Sequence, residues 1–144
     1  MYKQVFEKYG KNARYILTRR SSADTWLESL KAHTLATNPD NNPRKRIFGY
    51  DYPHGAEAHH IAFYERHLIE VRAYFKTQNA SDVLCEIFWE EGDGWRKICG
   101  FLNEPMPDAN FPHANRRTVP INDSKMLREN ERRIAIQVAR LNNA

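Results

Sequence analysis

Two adjacent arginines, Arg19 and Arg20, close an apolar stretch and stand directly before Ser21 and Ser22 in "ARYILTRRSSADTWLESL" (13–30). Guanidinium groups at a strand-to-helix turn suit an oxyanion. They donate to its oxygens as a bidentate fork, and the start of the next helix adds unsatisfied amides and a positive dipole end. A phosphate is the natural ligand of such a corner. On an extended backbone neighbouring side chains point in opposite directions, so one of the two arginines faces the crevice. Ser29, seven residues past Ser22, falls on about the same helical face and is placed to add a hydroxyl. The competing reading is an ion pair from Arg20 to a nearby carboxylate such as Asp24. Spacing does not choose between them.

The other reactive residue types give weaker signals. In "HGAEAHHIAFYERH" (54–67) Glu57 and His60 are helical neighbours, but His60 and His67 lie two turns apart, too far to share one ion without further ligands. The expectation is therefore a solvated or half-buried helix flank and no metal. His54, His59 and His60 are the bases on offer should this stretch line an acceptor pocket. "PRKR" (43–46) reads as a solvated basic patch. Arg128, Arg132, Arg133 and Arg140 alternate with Glu129 and Glu131 near the C-terminus, a pattern of intrahelical ion pairs. "EEGD" (90–93) suits the dipole of the helix that follows it.

The elements that must hold these residues follow from periodicity. Residues 2–9 read as a short helix ended by Gly10. Residues 13–18 read as a parallel strand covered on both faces, because their apolarity is nearly continuous. Ser21 or Ser22 caps a helix carrying Ala23, Trp26, Leu27 and Leu30 on one side. Residues 36–54 have no period and read as a long loop. Ile61, Tyr64, Leu68, Val71 and Phe75 make the seam of a helix over 55–77. A second strand is expected over 82–89 and a helix over 95–102. An extended segment follows over 103–121, and a last helix over 122–142 buries Leu127, Ile134, Val138 and Leu141. Strands alternating with helices predict an α/β fold with a parallel sheet. Two strands alone leave open edges, so completion by further chain or by another subunit is expected.

Composition narrows the function. The 144 residues carry a net charge of +4 with pI near 9.1, enough to favour an anionic ligand but well short of a nucleic-acid-binding density of Lys and Arg. No apolar run has the length of a membrane span, and the N-terminus lacks a secretory apolar core. Cys85 and Cys99 match no zinc spacing and read as buried thiols of a reducing, cytoplasmic setting.

Residues 13–30, together with "EEGDGWRKICGFLNEPMPDANFPHANRR" (90–117), resemble the sulfotransferase family over about 12–117. Gly94, Trp95, Cys99, Phe101, Leu102, Pro105, Pro107, Phe111, Pro112, His113 and Asn115 stand in the order and spacing of its later segment. The resemblance implies a partial P-loop-type α/β sheet and a sulfuryl donor, 3′-phosphoadenosine 5′-phosphosulfate. It implies that Arg20 and Ser29 contact the donor's 3′-phosphate, with Arg19 the weaker claimant, and that Arg116 and Arg117 return over the nucleotide. The doubled arginine and the Ser21-Ser22 pair depart from the family pattern.

None of the six glycines sits in a Gly-rich loop between a strand and a helix, the feature with which such enzymes grip the transferred group. The chain therefore reads as a single incomplete C-terminal sulfotransferase-like domain over 1–144. In its complete form it would sulfurylate an unknown small-molecule or glycan acceptor, and alone it would be inactive. The catalytic base is not identifiable. The alternative is a non-catalytic subunit that uses an open sheet edge to pair with itself or with a partner.

Overall fold

The computed structural model describes residues 2–38, 40, 43–112 and 124–143. Along the chain lie α1 (Tyr2–Tyr9), β1 (Tyr15–Arg19), α2 (Ala23–Leu35), α3 (Arg44–Phe48), α4 (Glu57–Thr77), β2 (Leu84–Phe88), α5 (Trp95–Leu102) and α6 (Ser124–Asn142). The fold is helix-rich α/β with a two-stranded parallel sheet. Two compact units form, one from Met1–Ser21 and Arg66–Pro112, the other from Ser22–Glu65 and His113–Ala144. α4 contributes to both.

In the first unit β1 and β2 pair from Tyr15 opposite Leu84 to Arg19 opposite Phe88. Tyr15, Leu17 and Arg19 therefore share one face with Leu84, Glu86 and Phe88. The C-terminal part of α4 covers that face: Phe75, 1% exposed, meets the rings of Tyr15 at 4.8 Å and Phe6 at 5.3 Å. β1 is not covered on both faces as its apolarity predicts. Leu17 is its one buried residue, and Ile16 stays 43% exposed. With two strands among the described residues β1 is an edge, and α5 packs against β2. Cys85 and Cys99 are free and buried.

The GW and Phe111 signals of the sequence turn out to be a packing device. A Cβ on Gly94 would lie 3.4 Å from the Phe111 ring. That ring stacks on Trp89 (centroids 5.0 Å apart, 24° between planes) and meets Trp95 edge-on at 4.9 Å. Asn103 in the left-handed region (φ 57°) ends α5, and the prolines beyond keep the chain extended until Phe111 folds it back.

The second unit begins with the expected cap, Ser22 Oγ accepting from the Thr25 amide at 3.0 Å. Trp26 stacks on Tyr64 with centroids 4.7 Å apart. Residues 43–54 are more ordered than a loop reading predicts, because Arg44 is buried among them. Its Nε donates to the Asp51 carbonyl at 2.7 Å and its Nη1 to Thr37 Oγ1 at 2.8 Å, and this fixes the short α3. Gly49, at φ 85°, ends that helix in a conformation only glycine adopts readily.

The apolar stripe of α6 is only half-buried, and its fully buried residue is Asn130. Asn130 Nδ2 donates to the carbonyls of Leu35 and Thr37, both at 3.0 Å, and its Oδ1 accepts from the Tyr52 hydroxyl at 2.8 Å. Two turns on, Gln137 Nε2 donates to the carbonyls of Tyr52 (2.8 Å) and His54 (2.9 Å). The expected intrahelical pairs are present as Glu129 with Arg132 and Arg133, which pull the Glu129 carboxyl down to about 2.

His60 does not sit on a solvated flank. It is 1% exposed, its Nδ1 donates to the Ala56 carbonyl at 2.8 Å, and Phe48 and Tyr50 of the segment around α3 pack on its ring. Burial lowers its pKa, and burial followed by the charge of Lys31 lowers that of His54. Both groups bind protons more readily unfolded than folded. Their stabilisation is therefore complete above the ordinary imidazole value of about 6.5 and is lost as pH falls through it toward the depressed folded values. Melting temperature should fall on going from pH 7.5 to pH 5, and His60→Phe should flatten that slope.

Candidate functional site

The carboxyl end of the parallel pair is where loops gather in an open α/β sheet, and charged side chains from four elements meet there. β1 brings Arg19 and the residue after it, Arg20. β2 brings Glu86 and Phe88, with Glu90 in the turn beyond. α4 brings Arg72, and Asp93 and Lys97 flank the start of α5.

The acids at this end are each committed. Arg72 grips Glu86 through Nε at 2.6 Å and Nη2 at 2.7 Å, which with its charge holds the Glu86 carboxyl below the usual range. Lys97 Nζ and the Phe88 amide bond Asp93 Oδ2 at 2.6 and 2.8 Å and lower its pKa in that order. Glu90 pairs with Arg20, and its Oε2 accepts from the Ser21 amide at 2.8 Å. The acid that Arg20 meets is thus Glu90 and not Asp24. Glu90 lies just past Phe88, at the same end of the sheet as the arginine turn.

Arg19 is differently placed. Its guanidinium carbon lies 3.6 Å from the centroid of the Phe88 ring. Its Nε is 3.8 Å from a Glu86 oxygen that Arg72 already occupies. Buried as it is, that Nε has no hydrogen-bond partner among the described residues. Arg19 thus shares Glu86 with Arg72, at long range and without a hydrogen bond to it, whereas Arg72, Arg20 and Lys97 each hold an acid closely. Chemically the corner offers a stacked, oriented guanidinium with donor capacity to spare, beside a second one that an acid holds.

The remaining site residues of the sequence reading are dispersed. Ser29, half-buried on α2, belongs to the second compact unit, whereas Arg19 and Arg20 belong to the first. Arg116 and Arg117 lie outside the described residues. His59 Nε2 donates to the Phe48 carbonyl at 2.8 Å, and the buried Nδ1 of His54 has no hydrogen-bond partner among the described residues. No cluster able to hold a metal ion occurs among the described residues, and no helix among them is long and apolar enough to cross a membrane. Arg72, Glu86 and Phe88 escaped sequence reasoning. Alternation along β2 puts Glu86 and Phe88 on one face, but nothing in the sequence gives the register that brings Arg19 beside them.

A family model described as a sulfotransferase domain matches residues 41–119, more than half of the chain. The match takes in α3 to α5, with Arg72, Glu86, Glu90, Asp93 and Lys97. Arg19, Arg20 and Ser29 precede it. No curated protein and no solved structure matches.

Proposed function

The chain belongs to the sulfotransferase family, and from that premise we propose that it takes 3′-phosphoadenosine 5′-phosphosulfate as donor, with Arg19 and Arg20 contacting one of its phosphates. The single observation that supports this reading is Arg19: stacked, oriented, and with an Nε that no acid of the corner satisfies. An incoming phosphate completes that donor and competes with Glu90 for Arg20. In the complete enzyme the acceptor oxygen attacks sulfur in line. The bond from sulfur to the 5′-phosphate oxygen breaks with its electron pair going to that phosphate, and the proton of the acceptor hydroxyl passes to a general base or to water. Positioning of the donor by its phosphates is what the arginine corner supplies. These 144 residues alone are proposed to bind nucleotide without turning over, since their glycines form no anion-gripping loop. Ser29, Arg116 and Arg117 remain proposed further contacts, and two buried free thiols favour a reducing, cytoplasmic setting.

Thermal-shift titration with 3′-phosphoadenosine 5′-phosphate tests this. The chain should be stabilised in a saturable way. Arg19→Ala should weaken binding about tenfold to a hundredfold, the usual worth of a charge-assisted hydrogen bond. Glu90→Gln, which removes the competing charge, should strengthen it several-fold. Sulfuryl transfer by the purified chain with a phenolic acceptor would refute the proposed inactivity, and absence of any nucleotide effect would refute the site.

A second reading rests on Ile16, an apolar residue left exposed on an edge strand. It is a subunit whose β1 edge accepts another strand. A nucleotide-indifferent oligomer on a sizing column would favour it, and a nucleotide-stabilised monomer would exclude it.

A further inference from the structure

The second compact unit contains a cleft of about 420 Å³ between residues 45–52 and α6, lined by Lys45, Tyr50, Tyr52, Ile136, Gln137 and Arg140 among others. Its charge is uneven. Arg133 on the wall is matched by Asp40 at 2.7 Å and Glu129 at 2.6 Å. Lys45 and Arg140 have no ion-pair partner among the described residues, and Asp51 is the only acid of the lining. Two cations without an ion-pair partner on one concave wall sum to a positive field that favours a bound anion.

The walls are held from behind. Gln137 bonds the main chain of Tyr52 in both directions, Asn130 holds its hydroxyl, and Arg44 holds the Asp51 carbonyl. Such a cleft needs little ordering when it binds. Tyr50 and the exposed Ile136 give it an aromatic and an apolar wall, and the volume falls in the range of small-molecule sites.

We infer that this cleft is a binding site for a small amphipathic oxyanion, a sulfate or phosphate monoester carried on an aromatic or apolar body, with Lys45 and Arg140 receiving the ester and Tyr50 and Ile136 its body. It goes beyond the donor corner proposed above and stands on different residues, in the other compact unit.

Titration of the full chain with fluorescent 4-methylumbelliferyl sulfate, 4-methylumbelliferyl phosphate and the uncharged 4-methylumbelliferyl glucoside tests this. Both esters should bind saturably and the glucoside should not; the tighter of the two esters identifies the preferred head group. Lys45→Gln and Arg140→Gln should each weaken ester binding about tenfold. Arg19→Ala should leave it unchanged, which separates this site from the donor corner. Both substituted residues are exposed, so the variants should melt like the parent chain. Raising ionic strength on the unmodified chain should weaken ester binding, a readout that needs no variant. Equal binding of the glucoside, insensitivity of ester binding to the double variant or to salt, or no ester binding at all would overturn the inference. So would displacement of the esters by 3′-phosphoadenosine 5′-phosphate, since the cleft would then be the nucleotide site itself.

Discussion

Phe75→Ala should destabilise the first compact unit by about 4 kcal/mol, within the range for emptying a buried aromatic position. Phe75 is 1% exposed and joins three elements: its ring meets Phe6 of α1, Tyr15 of β1 and the neighbouring Tyr74 of α4. Alanine removes the buried ring at the centre of the contacts that join α1 and the sheet to α4. α1 contains no buried residue, and its remaining ring contacts to α4 are the edge contacts of Tyr2 and Phe6 with Tyr74 and of Tyr2 with His67. A chain of this size is stable by only about 5–15 kcal/mol, so the loss is a large fraction of the total. Urea denaturation should give a lower midpoint, and hydrogen exchange should accelerate first at residues 2–19 and 84–88. Unchanged protection there would mean that the sheet does not depend on this ring.

Asn130→Ala should cost about 3 kcal/mol, because three partners lose their hydrogen bonds at once in a part-buried setting. The carbonyls of Leu35 and Thr37 lose their donor, and the Tyr52 hydroxyl loses its acceptor. Burial raises the Tyr52 pKa above its ordinary value, so this hydroxyl stays protonated and a donor throughout the working pH range. Tyr52→Phe should cost about 1 kcal/mol, and the double variant should cost less than the sum of the two, since the second change removes a bond already lost. Full additivity would show that the two side chains act independently. The same bonds hold one wall of the cleft, so Asn130→Ala should also weaken ester binding.

Elements made by local pattern were legible in the sequence. The bounds of α5, the cap at Ser22 and the seam of Tyr64, Leu68, Val71 and Phe75 all follow from residue types a few positions apart. The features that escaped are made by remote partners or by buried polar groups. α6 shows an apolar stripe, yet the residue it buries completely is Asn130, which reads as a surface residue until its three partners are known. Arg44 lies in a basic run that looks solvated and is instead buried, bonded to Asp51 and Thr37. Arg20 has an acid four residues on, Asp24, yet pairs with Glu90, seventy residues away. Strand register decides that choice, and register between parallel strands joined by a long crossover has no short-range signature.

Donor binding at the arginine corner can be read residue by residue from amide chemical shifts. Titrating 3′-phosphoadenosine 5′-phosphate into the ¹⁵N-labelled chain should move the amides of Arg19, Arg20, Ser21 and Phe88, and Arg19→Ala should abolish those shifts. Shifts confined to residues 43–65 and 124–143, or none at the carboxyl end of the sheet, would contradict it.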